Sequence, residues 1–396
     1  MKPFILLAIV FIAGCVASSE LPPLAASEEG GTGPSGESTP DTTQDVDSIN
    51  ETEAEEPLSY EETVWKERVD AALEPASCPA LRKKTYPEGY YKGPLIDTHL
   101  HIPSIPTSPP GEEDEEEDQF PRLGVNVKVA DVVCTLKHEN TKSAFVFFPV
   151  SRDEYEISVE VVNRTMRTYD VFVPFIMPPD DDGSPTGYPT VDADKLEKMI
   201  GVYPELFEGY GEIGLYERRG GAAELPPDSE RLTNIYPIVR EHELAVYFHP
   251  GEDQEESLER VLDAYPDVNF IVHGEQIEDE IAGLMSRHDN VYFTVNDLYG
   301  DQYLLHPGED VDSFLAATDE YEPLLEKDLG TWKSRIEAHP DQFVWGTDRG
   351  GIAVWTFDKA VGERLNDYGR AFIGRLNPDV QEKFAYRNAE RIVEGR

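Results

Sequence analysis

Six residues of metal-binding type lie at or near the ends of short apolar runs: His99, His101, Glu212, His249, His273 and Asp348. His99 and His101 belong to the segment Ile96-Asp97-Thr98-His99-Leu100-His101. Strand alternation would point Asp97 and both imidazoles to one face of that segment. Imidazole nitrogens and carboxylate oxygens are the donors that catalytic zinc sites use. The pattern therefore predicts a divalent-metal centre in which Asp97 fixes an imidazole and does not itself bind the ion.

The elements that must position these residues are eight short apolar runs that alternate with helical spacing. The predicted strands are Pro94–His99, Ser143–Pro149, Val171–Ile176, Tyr210–Leu215, Ala245–His249, Asn269–His273, Val291–Val295 and Phe343–Gly346. Eight strands, each followed by a helix, predict a (β/α)8 TIM barrel, whose catalytic face lies at the C-terminal ends of its strands. A doubly wound open sheet is the alternative, but no Gly-rich phosphate loop follows any strand.

The remaining histidines provide an internal comparison. Four of them sit at predicted helix ends just before the next strand, on the stability face of such a barrel: His138, His242, His288 and His339. A cation is favoured at a helix C-terminus, so we expect these four to be structural. His306 lies in the loop after the seventh strand, from which it could reach a substrate or simply remain on the surface.

The order of the six residues along the strands resembles the amidohydrolase superfamily, and in particular its amidohydrolase-related branch. The resemblance runs from about Pro94 to the C-terminus, where Arg387-Asn388-Ala389-Glu390-Arg391 is similar to the closing helix of that branch. It implies that His99, His101 and Asp348 hold one divalent ion, zinc in the first instance.

The resemblance further implies that His249 and His273 hold a second ion, with Glu212 as the bridge. Neither strand four nor strand five contains a lysine that could be carboxylated for that purpose. A bridging glutamate is similar to the TatD-like arrangement. In the decarboxylase-type relatives a single ion is bound, and the histidine of strand six acts on the substrate.

The chemistry follows from these ligands. A zinc-like ion lowers the pKa of a bound water to about 7 and polarises a carbonyl or phosphoryl oxygen. Asp348 would accept the proton of that water and pass it to the leaving group. Arg218 and Arg219, after strand four, and Arg349, after Asp348, are candidates for binding a substrate carboxylate or phosphate, with surface ion pairing as the alternative.

Charge restricts the partners of the chain. The 396 residues carry a net charge of −45, which excludes a protein held on nucleic acid by clustered Lys and Arg. The same argument disfavours a TatD-like nuclease. Beyond residue 62, 66 acidic residues still face 33 basic ones. So acidic a folded body suggests a halophilic prokaryote, the alternative being an acidic mesophilic protein.

The N-terminus has the features of a targeting segment. Residues 1–14 combine Lys2 with a short apolar run and predict a lipoprotein signal peptide, since about 20 apolar residues are needed to span a bilayer. Cys15 ends a lipobox-like Ile-Ala-Gly-Cys and is the expected lipidation site. Residues 15–59 lack the apolar content of a packed structure and predict a disordered acidic linker. The barrel then occupies residues 60–396.

The sequence thus favours a hydrolase anchored by lipid on the outer face of the cell membrane. Its substrate would be a small molecule with an ester, amide, lactone or related bond. A decarboxylase-type lyase with a single ion and a surface lipoprotein that binds without catalysis are the alternatives. The pattern leaves open the oligomeric state and whether Cys78 and Cys134 form a disulfide.

Overall fold

A computed structural model describes most of the chain from residue 84 onward and a few positions before it. The described residues are 63, 66, 67, 69–71, 73, 74, 78, 84–102, 128–179, 187–217, 223–296, 298, 299, 309–350 and 354–394. All belong to the compact unit Pro57–Arg396. The predicted signal peptide, Cys15 and the linker lie outside the described residues. Within the described residues, no helix combines the length and the apolar character needed to cross a membrane.

Eight parallel strands form one sheet in which every strand pairs with its neighbours in sequence order. They are β1 Leu95–His101, β2 Thr141–Pro149, β3 Phe172–Met177, β4 Gly209–Gly214, β5 Ala245–His249, β6 Phe270–Val272, β7 Val291–Val295 and β8 Phe343–Trp345. A parallel bridge between Leu100 and Arg349 joins the first strand to the chain just after the last. The predicted TIM barrel is confirmed, and each predicted strand overlaps an observed one.

Helices follow the strands and cover the outside of the sheet. They are α1 Val129–His138, α2 Tyr155–Thr168, α3 Ala193–Val202, α4 Glu230–Thr233, α5 Tyr236–Glu241, α6 Glu255–Ala264, α7 Ile281–Met285, α8 Val311–Ala317, α9 Glu322–Ala338, α10 Lys359–Ile373, α11 Pro378–Glu382 and α12 Asn388–Glu394. Apolar residues at helical spacing form the buried face of each long helix, as Leu258, Val261 and Leu262 do in α6.

The core has two parts, one on each face of the sheet. The larger part lies between the strands and the helices. The smaller part fills the barrel and is dominated by large side chains: Ile96, Phe145, Phe147, Phe175, Tyr247, Ile271, Tyr292 and Val344. A filled interior is typical of this fold, and it forms a closed floor beneath the C-terminal ends of the strands.

Strand β1 departs from regular alternation. Its register with β2 shifts between Asp97 and Leu100. Ile96 packs inside the barrel, and Thr98 also faces inward, since its hydroxyl contacts Thr294 of β7. His99 faces inward as well, against the rings of Phe147 and Tyr247. The expectation that Asp97 shares a face with His99 and His101 is therefore wrong. The irregularity places two consecutive residues, 98 and 99, inside and leaves Asp97 on the outer side.

A disulfide ties the segment before the barrel to its first helix. Cys78 and Cys134 are bonded to each other, and Cys134 belongs to α1. The same segment contributes Val69 and Leu73 to the outer core. The question that the sequence left open is thus answered by a covalent link between positions 56 residues apart.

Reduction of this disulfide should destabilise the barrel, because the bond restricts the unfolded chain across a long loop. We expect the free energy of unfolding to fall by roughly 2–4 kcal/mol, measured by urea titration with and without dithiothreitol. The Cys78→Ser/Cys134→Ser variant should match the reduced protein and show no response to reductant. Identical unfolding midpoints for the oxidised and reduced protein would contradict this prediction.

Candidate metal centre

The predicted ligands of β1 and β8 meet at the C-terminal end of the barrel. His99 Nε2 lies 3.2 Å from His101 Nε2 and 3.1 Å from Asp348 Oδ1. The distance from His101 Nε2 to Asp348 Oδ1 is 3.5 Å. Three donors bound tetrahedrally at about 2.0–2.1 Å from one ion would lie about 3.3 Å apart. The triangle formed by these atoms therefore has the size that a single divalent ion requires.

Glu212 stands between two pairs of histidines. Its Oε2 lies 3.3 Å from Nε2 of both His99 and His101. Its Oε1 lies 2.8 Å from His273 Nε2 and 3.4 Å from His249 Nδ1. A carboxylate that faces one pair with each oxygen has the orientation expected of a bridge. Glu212 also forms a group of candidate metal donors with His99 and His273.

His99 is common to both groups of candidate donors. The Nε2 of an imidazole has one lone pair, so His99 binds one ion through this atom. His249 belongs to neither group, and its Nε2 lies 3.1 Å from Oε1 of Gln276. The site around His99, His101 and Asp348 is thus the better formed one, and the second pair of histidines forms a less complete site.

The charges of the site suit a cation. Burial disfavours ionisation of Glu212 and Asp348, yet the surrounding imidazoles outweigh it and hold the pKa of both carboxyl groups below the usual range. Burial also disfavours the charged form of His99, but Asp348 and Glu212 raise its pKa to about 10. Burial together with the neighbouring His249 lowers the pKa of His273 to about 4. The site therefore contains two ionised carboxylates and a protonated His99, and a divalent ion that binds there would replace the proton of His99.

Backbone geometry fixes Asp348. Its φ angle is +54°, in the left-handed region that aspartate tolerates better than most residues. Its backbone N–H donates to the carbonyl of His99 at 2.9 Å. Gly346, two residues earlier, leaves room for this approach, because a Cβ there would lie 2.9 Å from the Cβ of His99. Asp348 is thus held across the seam between β8 and β1.

Asp97 holds that seam through backbone N–H groups and the Thr347 hydroxyl and not through an imidazole, which corrects the role expected from the sequence. Its Oδ1 accepts from the N–H of His99 at 3.2 Å and from the N–H of Thr347 at 2.9 Å. Its Oδ2 accepts from the Thr347 hydroxyl at 2.6 Å. The carboxylate is fully buried.

Arg349 is buried against two acidic side chains, Glu139 and Asp97. It is 2% exposed, and its guanidinium donates to both carboxylate oxygens of Glu139, each at 3.3 Å. Its Nη2 also lies 3.6 Å from Asp97 Oδ2. This placement does not support the substrate contact expected of Arg349, because the side chain is committed to an ion pair that the sequence did not reveal.

Asn296 is a residue of the site that the sequence analysis missed. It directly follows β7 and is 6% exposed. Its Nδ2 lies 3.2 Å from Nδ1 of His273 and 3.4 Å from Oδ2 of Asp348. Its Oδ1 has no hydrogen-bond partner among the described residues. The sequence did offer one indication, because Asn296 comes just beyond the end of β7, as His273 comes just beyond the end of β6. Asparagine is a common loop residue, so this indication was not distinctive.

Other predicted residues fall elsewhere. Arg218, Arg219 and His306 lie outside the described residues. The four histidines expected to be structural lie at helix ends or in connections remote from the site, and three of them face acidic partners: His138 with Glu363, His242 with Glu197 and His288 with Glu259.

Comparisons with known proteins gave a family match and a set of similar solved structures. The sequence model of a family described as Amidohydrolase matches residues 96–394. No curated protein matches the chain. Among solved structures, it is similar to a 4-oxalomesaconate hydratase from Rhodopseudomonas palustris, with 14% identity, a TM-score of 0.48 and coverage of 76% of this chain and 95% of that one.

Two further structures are similar at the same level. An amidohydrolase from Burkholderia multivorans has 11% identity, a TM-score of 0.47 and coverage of 76% of this chain and 99% of that one. A dihydroxybenzoic acid decarboxylase from Polaromonas sp. JS666, with bound manganese, has 13% identity, a TM-score of 0.45 and coverage of 77% and 98%. Likeness this distant carries no argument about the reaction.

Metal binding should release protons, because His99 is protonated at pH 7 and its Nε2 must lose that proton to bind an ion. We expect at least one proton to be released per Zn²⁺ bound at pH 7, because, despite burial, Asp348 and Glu212 raise the pKa of His101 as well. The calorimetric binding enthalpy should therefore vary with the ionisation enthalpy of the buffer. The affinity should rise with pH up to about 10, as the competing proton is lost. A His242→Gln variant, altered at the remote histidine, should behave like the original chain. A binding enthalpy that is the same in all buffers would contradict the prediction.

Proposed function

The chain belongs to the amidohydrolase family, and from that premise we propose that it is a metal-dependent hydrolase of a small molecule with an ester, amide, lactone or related bond. The observation that supports this proposal is the triangle of His99 Nε2, His101 Nε2 and Asp348 Oδ1, with edges of 3.1–3.5 Å. It lies at the face of the barrel where enzymes of this fold have their active sites.

Each residue of the centre has a task that its position suggests. When bound, a divalent ion supplies polarisation of the scissile carbonyl and a lowered pKa for water. Asp348 presents Oδ1 to the histidines and is 37% exposed in its side chain, so its other oxygen can accept a proton and return it to the leaving group. Neutral His273, bonded to Glu212, keeps that carboxylate oriented.

Asn296 is our candidate for orienting the substrate. A buried polar atom without a partner costs free energy, so a buried amide oxygen next to a reaction centre suits a donor on the ligand. Its Nδ2 already contacts Asp348 and His273, which places the amide within reach of the same molecule on which they would act.

A single-metal lyase is the second candidate, and the placement of His249 favours it. This histidine lies outside both groups of candidate donors and turns its Nε2 to Gln276. With His249 unbound, only one ion would be held tightly, and His273 would face the substrate. Metal analysis separates the two candidates, because two tightly bound equivalents per chain would argue against the lyase.

We also propose that the protein works outside the cytoplasm, attached through lipid on Cys15. The Cys78–Cys134 disulfide supports this location, since such bonds persist mainly in oxidising compartments. The net charge of −45 suits a saline exterior. Radiolabelled palmitate incorporated into the chain, but not into a Cys15→Ser variant, would support the anchor. Equal labelling of both would refute it.

Turnover should depend on the three donors of the centre. We expect a chelator to abolish hydrolysis in a panel of esters, lactones, amides and phosphoesters, and added Zn²⁺ or Mn²⁺ to restore it. The His99→Ala/His101→Ala variant should lose both metal and activity. Asp348→Asn should lower kcat by about 10²–10⁴-fold, the contribution typical of a general acid or base.

The control for these variants is His242→Ala, which removes a histidine paired with Glu197 away from the centre. It should retain metal and activity. Hydrolysis that persists in the double histidine variant would refute the proposed function.

A further inference from the structure

A line of hydrogen-bonding groups runs through the barrel interior beneath His99. The Nδ1 of His99 lies 3.1 Å from the hydroxyl of Tyr247 on β5. That hydroxyl donates to Thr294 Oγ1 of β7 at 2.8 Å, and Thr294 Oγ1 lies 3.2 Å from Thr98 Oγ1 of β1. Thr98 donates to the carbonyl of Trp345 in β8 at 2.9 Å. The line thus joins four strands and ends on a group that can only accept.

Every side chain of this line is sealed from solvent. His99, Tyr247, Thr294 and Thr98 are each 0% exposed. The rings of Phe147 and Phe175 pack against Tyr247. In such surroundings a hydroxyl that loses its partner cannot turn to bulk water instead, so every contact of the line should contain a hydrogen.

The direction of each hydrogen bond in this line follows from counting the available hydrogens. The Trp345 carbonyl is an acceptor, so Thr98 must donate to it and must accept from Thr294. Thr294 then accepts from Tyr247, and Tyr247 must accept from His99. Four contacts are filled by four hydrogens only if the first of them is on Nδ1 of His99. The opposite arrangement, in which Tyr247 donates to His99, leaves one contact of the line without a hydrogen.

One other group lies near this nitrogen and does not change the count. Asn296 Nδ2 is 3.4 Å from His99 Nδ1. Its two hydrogens have other acceptors at equal or shorter distance, namely Nδ1 of His273 at 3.2 Å and Oδ2 of Asp348 at 3.4 Å.

We infer that Tyr247, Thr294 and Thr98 form a directional relay that holds the proton of neutral His99 on Nδ1 and so keeps Nε2 free to bind the metal ion. The inference rests on the proposed function in one respect, which is that His99 is a ligand. Tyr247 and Thr294 are positioning residues, since they act on the ion only through the imidazole.

The relay predicts an effect at a distance that simple packing does not. Thr294→Val removes the acceptor of the Tyr247 hydroxyl without touching His99. The hydroxyl should then turn and donate to Nδ1 of neutral His99, so that the one proton of the neutral imidazole stays on Nε2, where it competes with the metal. Tyr247→Phe removes the acceptor of the Nδ1 proton directly. Each variant should weaken Zn²⁺ binding by about 10–100-fold, the usual effect of losing such an outer partner.

The double variant Tyr247→Phe/Thr294→Val should bind Zn²⁺ no worse than Tyr247→Phe alone, because Thr294 acts only through the tyrosine hydroxyl. Thr294→Ser keeps a hydroxyl and should restore the affinity of the original chain. Two control variants remove a buried tyrosine hydroxyl and a buried threonine hydroxyl elsewhere in the chain. Tyr236→Phe removes a hydroxyl that donates to the Pro227 carbonyl, and Thr165→Val removes one that donates to the Val161 carbonyl. Both should bind Zn²⁺ as the original chain does.

The experiment measures Zn²⁺ affinity of the full chain by competition with a chelator, and the protonation of His99 by long-range ¹H–¹⁵N NMR with labelled histidine. The His99 signals are assigned by their loss in His99→Gln. We expect the Nδ1 proton of His99 to exchange slowly with solvent in the original chain and in Thr294→Ser, and rapidly in Tyr247→Phe. Zn²⁺ affinities of Tyr247→Phe and Thr294→Val equal to that of the original chain would overturn the relay.

The two proposals fail in different ways. If the original chain binds no Zn²⁺, Mn²⁺ or other divalent ion, the proposed function fails. The exchange rate of the Nδ1 proton of His99 and its response to Tyr247→Phe still test the relay in that case, and an Nδ1 proton that exchanges equally fast in both chains would overturn it. Additive effects in the double variant would overturn it as well.

Discussion

The seam between the first and the last strand is the constraint on which the candidate centre depends. The Asp97 carboxylate accepts from the backbone N–H groups of His99 and of Thr347, two positions that are 248 residues apart along the chain. Beyond it, His101 N–H donates to the Arg349 carbonyl at 2.9 Å. The donors of His99, His101 and Asp348 approach one another only because this seam closes. A barrel left open at this point would keep its helices and most of its core but would separate the donors of β1 from that of β8.

The seam carries buried charge, which is costly unless every group is paired. Asp97, Glu139 and Arg349 are each at most 2% exposed. Removing one partner of a buried pair typically costs 3–5 kcal/mol, whereas apolar replacements of the whole set can be neutral or better. Burial raises the pKa of Glu139 to about 7 even with Arg349 beside it. A gain in stability alone does not explain such a cluster. The need for a rigid support of the metal donors explains it, because the spacing of the donors must be held to a fraction of an ångström.

The sequence was sufficient to predict the barrel, its eight strands and the convergence of histidines and acids at one end. The spacing of apolar residues and the residues at strand ends are local features of the sequence, and most of the strands follow the rules drawn from them. The sequence was not sufficient to predict the directions in which the side chains of Asp97 and Arg349 point. The direction of Asp97 changes at the irregularity in β1, and that of Arg349 follows a left-handed Asp348 and depends on Glu139, 210 residues earlier in the chain. The partners of Tyr247 and Thr294 were hidden for another reason, since tyrosine and threonine are ordinary strand residues.

The irregularity in β1 also explains how one strand serves two purposes. In a regular strand Thr98 and His99 would point to opposite faces. Here both point inward, so that Thr98 ends the line of hydroxyl groups on the Trp345 carbonyl while the neighbouring imidazole begins it. Gly346 makes the close approach possible, because a Cβ at this position would lie 2.6 Å from Thr294 Cγ2 and 2.9 Å from His99 Cβ. The irregularity in β1, which breaks the alternation of side chains, therefore also connects the buried interior of the barrel to the metal-binding face. A regular strand at this place would present the same residues but would not connect them.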